Sequence, residues 1–107
     1  MDNIQLYHGD CLKVMKELSD KSIDLILCDL PFGVTNNLWD KAIPFDKLWQ
    51  SYDRIIKDNG AIVLNCQQPF TSLLITSNLK DFKYCWTWYK KQCSGFLNAK
   101  KTTFKKL

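Results

Sequence analysis

A chain of 107 residues with 46% apolar and 24% charged side chains has the composition of a folded globular domain, with enough length for one core that removes roughly two-thirds of the unfolded surface from water. No apolar run approaches the roughly 20 residues that cross a bilayer, and acidic Asp2 stands where a secretory leader carries basic residues, so we expect no membrane span and a cytoplasmic protein. The net charge of +4 comes entirely from one end: residues 90–107 hold six lysines and no acid, while residues 1–89 hold nine basic and eleven acidic side chains.

In chain order, Ile4 to Tyr7 reads as a short strand closed by Gly9-Asp10. A helix follows, with Asp10 as its N-cap and Leu12, Met15 and Leu18 forming one apolar stripe. After the turn Ser19-Asp20-Lys21-Ser22, the run Ile23 to Cys28 is apolar except for Asp24, as in a strand covered on both faces of a parallel sheet. It breaks off into Asp29-Leu30-Pro31-Phe32-Gly33: a carboxylate, a rigid proline and an aromatic ring at one strand end. Beyond a polar loop, Val34 to Lys41, a second helix places Phe45, Leu48, Trp49, Tyr52, Ile55 and Ile56 at i, i+3, i+4, i+7 spacing, and Asp58-Asn59-Gly60 reads as its stop. Ala61 to Cys66 is a further buried strand, Pro69 opens a third helix through Leu79, and Tyr84 to Lys90 alternates as an aromatic-rich strand. The expected order is β-α-β-α-β-α-β, an α/β fold with a parallel or mostly parallel sheet of Rossmann type. In such sheets ligands bind beyond the carboxyl ends of the strands. Those ends carry Gly9-Asp10-Cys11, Asp29 to Gly33, and Asn65 to Pro69.

The five cysteines, Cys11, Cys28, Cys66, Cys85 and Cys93, are odd in number and form no C-x-x-C pair, and His8 is the only histidine. We expect no metal site and reduced, structural thiols. The lysine-rich end reads on composition as a solvated tail, and alternatively, with Phe96 and Phe104, as a segment that follows a phosphate backbone. Trp39, Trp49, Trp86 and Trp88 read as core or rim aromatics.

The run Leu6-Tyr7-His8-Gly9-Asp10-Cys11-Leu12, followed by Ile23 to Asp29 and Leu30-Pro31-Phe32-Gly33, resembles the start of amino-methylating, site-specific DNA methyltransferases that use S-adenosylmethionine. The likeness continues through Trp39-Asp40, Pro44-Phe45, Asn59-Gly60-Ala61-Ile62-Val63-Leu64, Trp86 to Lys90 and Gly95-Phe96-Leu97-Asn98-Ala99-Lys100-Lys101. Its order is that of the permuted class with the catalytic motif near the N-terminus. The resemblance implies direct methyl transfer to the exocyclic amine of a flipped base, adenine N6 in preference to cytosine N4, within double-stranded DNA, as in restriction–modification enzymes. Asp29 would accept a hydrogen bond from that amine, the backbone carbonyl of Leu30 would accept the second, Pro31 would hold Leu30 extended, and Phe32 would stack on the base. The family pattern is Asp-Pro-Pro-Tyr or a close variant, with Asp, Asn or Ser first and Tyr or Phe last; Leu30 departs from it and leaves its backbone carbonyl available. Asp10 and the Cys11 backbone would receive the adenine of the cofactor, with Asp29 also bordering it. Lys90, Lys91, Lys100 and Lys101 would meet DNA.

Family members carry a further segment with a Phe-x-Gly-x-Gly turn, and here the four glycines are isolated. On that basis residues 1–107 are expected to form a single partial, truncated methyltransferase domain, with residues 90–107 opening the target-recognition region and the missing half supplied by another chain or offset by self-association. The alternative is a catalytically inert remnant that binds nucleic acid or a partner chain. Another Rossmann-like nucleotide binder is disfavoured, since neither G-x-G-x-x-G nor a P-loop follows a strand.

Overall fold

The computed structural model describes residues 3–33 and 41–91. Its elements are α1 (Cys11–Val14) continuing into a 3-10 turn (Met15–Glu17), β1 (Ile23–Asp29), α2 (Phe45–Ile55), β2 (Ile56–Asn65), α3 (Phe70–Thr76) and a final 3-10 turn (Leu79–Asp81). The two strands pair in parallel with α2 as their crossover, so the chain is a mixed α/β protein with a small parallel sheet.

The helical spacing of α2 acts as its sequence suggests. Leu48, Tyr52 and Ile55 are buried, Leu48 to 1% exposure, and they join Met15, Leu30, Phe70 and Leu74 in one core. Ile26 and Cys28 of β1 and Ile62 and Leu64 of β2 pack against that core from one sheet face. At the start of α2, Ile43 precedes the N-cap Pro44, and both Ile43 and Leu48 belong to the core cluster. Those two residues occupy the positions of a hydrophobic staple, which fixes the angle at which the chain enters a helix.

The end of α2 is tied to the segment before β1. The last carbonyls of a helix lack partners within it; here Lys21 N–H donates to the Arg54 carbonyl and Ser22 N–H to that of Ile55, each at 2.9 Å. In return the Arg54 guanidinium donates to the carbonyls of Met15 at 2.6 Å and Leu18 at 2.8 Å, and to the Asp20 carboxylate at 2.7 Å. One side chain thereby satisfies the carbonyls at the end of the first helical segment.

Several expectations are corrected. Helix α2 stops at Ile55, and Asp58-Asn59-Gly60 lies inside β2. Between the pairs Ile23↔Ile56 and Leu25↔Ala61, β1 advances by two residues and β2 by five, so this tripeptide forms an irregular outward step in the ladder. Gly60 is required there by close approach: a Cβ would meet Cγ1 and Cδ1 of Ile56 at 2.7 Å and the Asp24 carbonyl oxygen at 2.9 Å. The third helix is shorter than expected and ends at Thr76.

Ile4 to Tyr7 and Tyr84 to Lys90 are not strands. Among the described residues the sheet has two strands, and no backbone hydrogen bond engages residues 83–91. Nor is the sheet covered on both faces. Leu25 and Leu27 are 54% and 70% exposed on the face opposite α2, beside exposed Ala61. No helix among the described residues is long and apolar enough to cross a membrane.

Candidate functional site

Two turns converge at the carboxyl side of β1. In the first, Asp10 caps α1: its backbone is extended and its Oδ1 accepts the Leu12 N–H at 2.9 Å. A carboxylate has two oxygens and about four acceptor positions, so capping leaves capacity for a ligand. The two readings of Asp10, cap and acceptor, are compatible in one side chain.

In the second turn, Asp29 is the last residue of β1 and stands opposite Asn65 of β2. Its side chain is exposed, and among the described residues no side-chain hydrogen bond or ion pair engages its carboxylate. Leu30 follows as a core residue at 5% exposure and anchors the turn. Pro31 is half-buried, and Gly33 closes the turn at φ 76°, the left-handed region that favours glycine.

Phe32 departs from a simple stacking platform. Its ring lies on that of Phe70, with centroids 4.8 Å apart and planes 25° apart, and Phe70 in turn contacts Phe45 at 5.7 Å. One face of Phe32 is therefore taken by the core. Stacking on a ligand is confined to the other.

A cleft of about 450 Å³ brings Gly9, Asp10, Cys11 and Leu12 together with Pro31 and the segment Lys41 to Pro44. Its size lies within the range of small-molecule sites, which combine apolar walls with a few polar groups. Here Leu12, Pro31, Ile43 and Pro44 supply apolar surface, Asp10 an anion and Lys41 a cation. Asp29, Leu30 and Phe32 do not line it. The structure thus unites Asp10, Cys11 and Pro31 and sets Asp29 at the neighbouring strand end. The wall formed by residues 41–44 was absent from the sequence reading. Its one sequence signal is Ile43-Pro44 ahead of an amphipathic helix.

In the cleft lining, burial pushes the Cys11 thiol up, reinforced by the charges of Asp10 and Cys28. The Tyr52 hydroxyl is pushed up strongly, first by burial and then by Cys28, to which it is hydrogen-bonded. Both groups stay neutral at neutral pH, and the Cys11 thiol is a poor nucleophile.

The basic residues divide. Lys90 and Lys91 are exposed in the segment after Phe82, with the Lys90 ammonium 5.3 Å from the Trp88 ring centroid. Lys100 and Lys101 lie outside the described residues. Among the described residues no group of three or more His, Cys, Asp and Glu side chains is arranged to hold a metal ion.

The geometry defines a parallel α/β unit with a cleft at its strand ends. Comparison with family models, with curated proteins and with solved structures finds no match.

Proposed function

We propose that this chain belongs to the S-adenosylmethionine-dependent DNA amino-methyltransferases, with β1 and β2 as the parallel core of a Rossmann-like sheet. The observation that carries the reading is the cleft shared by the Asp10-Cys11 turn and Pro31, next to a solvent-facing Asp29 carboxylate at the end of the same strand. Without that convergence the two motifs would be unrelated turns.

The cleft suits the adenosine part of the cofactor. A flat purine fits between apolar walls, and the unused acceptor capacity of Asp10 matches its exocyclic amine. When bound, the cofactor supplies an electrophilic methyl group on a sulfonium. The chain's own residues prepare the acceptor. An amine conjugated to its ring is a weak nucleophile because its lone pair is delocalised. Asp29 accepts one of its hydrogens and the Leu30 carbonyl the other, drawing the nitrogen toward a pyramidal, reactive shape. The free face of Phe32 receives the flipped base, adenine in preference to cytosine. Lys90 and Lys91, with Lys100 and Lys101, contact the phosphates of double-stranded DNA in the cytoplasm.

Titration calorimetry with S-adenosylmethionine tests the reading. Heat of binding is expected, and Asp10→Asn, which retains a capping oxygen, should weaken affinity roughly tenfold by removing a charge-assisted hydrogen bond while leaving stability unchanged. Asp10→Ala should in addition lose about 1 kcal/mol of stability. Absence of heat at high micromolar cofactor refutes cofactor binding by this chain. For DNA, affinity that does not fall with added salt would rule out phosphate contacts.

A further inference from the structure

Residues 82–91 form a solvent-facing segment outside helix and strand whose side chains are unusual for a surface. Tyr84, Trp86, Trp88 and Tyr89 are 66%, 76%, 71% and 78% exposed. Tyr84 and Trp86 touch edge to face at 5.5 Å. Alternation along an extended chain puts Tyr84, Trp86 and Trp88 on one side. Thus the segment has the side-chain pattern of a strand and, among the described residues, none of its backbone pairing.

The sheet supplies the complement. It has two strands, and its face away from α2 exposes Leu25, Leu27 and Ala61. Open strand edges are templates for another strand. We propose that a second copy of this chain occupies them: residues 83–90 of each copy add to an open sheet edge of the other, and their rings cover the Leu25–Leu27 face.

Area and backbone chemistry favour a second copy. A Tyr or Trp buries about 150–250 Å² when enclosed, so the three same-side rings at these exposures offer on the order of 300–500 Å² per copy. In a two-fold contact each copy both gives and receives the segment, and with the covered surface counted the total is on the order of 1,200–2,000 Å². That is the size of stable interfaces. Strand addition also satisfies the unpaired N–H and C=O groups of residues 83–90, which stacking on a nucleic acid leaves open. This pairing is independent of any cofactor chemistry.

Sedimentation equilibrium on the 107-residue chain, read together with tryptophan emission and acrylamide quenching across the micromolar range, is the test. The expected result is a mass of two chains, with emission moving to the blue and quenching falling as concentration rises. Trp86→Asp/Trp88→Asp should give a monomer. Thr87→Pro keeps every ring but removes a backbone donor needed for strand pairing, and should weaken association at least tenfold. Both changes fall at exposed positions outside the core, so the helical far-UV circular dichroism should be retained, with loss only of the strand signal of the added segment. A monomer with fully accessible tryptophans overturns the proposal, as does an open-ended ladder of masses or a Thr87→Pro variant that pairs like the parent. Quenching of a monomer by oligothymidylate would instead assign the rings to single-stranded nucleic acid.

Discussion

Gly60→Ala tests whether the step in β2 is built around a missing side chain. The added Cβ would sit 2.7 Å from Cγ1 and Cδ1 of Ile56 and 2.9 Å from the Asp24 carbonyl oxygen, against an optimum near 3.5–4.0 Å for carbon pairs. Ile56 can retreat by turning its side chain. The Asp24 oxygen belongs to the backbone of β1 and moves only with the strand. Overpacking of this kind costs about 1–3 kcal/mol, and the reduced freedom of the unfolded chain returns about 0.4–1 kcal/mol. The expected net loss is about 1–2 kcal/mol. Urea unfolding should show a lower midpoint, and Tm should fall by about 4–8 °C for each kcal/mol. Ile56→Ala removes two of the three clashing atoms, so Gly60→Ala should cost less in that background, with a coupling of at least about 0.5 kcal/mol. A Gly60→Ala protein as stable as the parent, or two substitutions that simply add, would refute the close-packed account.

Arg54→Ala should cost about 1–2 kcal/mol, because it strips charge-assisted hydrogen bonds from the Met15 and Leu18 carbonyls. Arg54→Lys should recover only part, since an ammonium lacks the fork that reaches both carbonyls. Asp20→Asn should cost less than about 1 kcal/mol, its ion pair being exposed; chemical unfolding ranks the three. Tyr52 resists ionisation when folded and ionises near pH 10 once unfolded. Stability should therefore drop as pH rises above about 10, and Tyr52→Phe should flatten that decline in unfolding curves taken across alkaline pH. An equally steep decline in the variant would mean that Tyr52 titrates normally. Lys21 and Asp58 hold each other charged, raising the lysine and lowering the carboxylate. Their contribution should decline as pH falls below about 4 and as it rises above about 10.5, and Asp58→Asn should remove both arms from a stability–pH profile.

The legible parts of the fold were those decided by local pattern. The period of α2, the apolar run of β1 and the Asp10 cap all depend on residues a few positions apart, and each is found near where its pattern placed it, whereas β2 begins at Ile56, five residues before the apolar run that signals it. Ile4 to Tyr7 and Tyr84 to Lys90 show the limit of alternation. A strand also needs a neighbour for its backbone groups, and nothing in those residues states whether the same chain provides one. Asp58-Asn59-Gly60 has the composition of a helix stop, yet α2 ends at Ile55, where Lys21 and Ser22 take up its last carbonyls. That partner lies more than thirty residues upstream in sequence. At the candidate site, the places of Asp10 and Asp29 were legible, Asp10 from its capping position ahead of α1 and Asp29 from the end of the apolar run of β1. Lys41 to Pro44 was not, because its contribution is a wall.

The contact between Phe32 and Phe70 gives the strand-end turn a second owner. Under the proposed function, a ring that is half core and half base-stacking surface is tested twice by every substitution, once for folding and once for ligand. Enlarging or shrinking Phe70, a residue of α3 that does not line the cleft, would tilt the aromatic plane offered to a base without touching any polar group. The orientation of that plane is thus a property of the hydrophobic interior, and variation in α3 becomes a route by which the site can be retuned while Asp29 and Asp10 stay as they are.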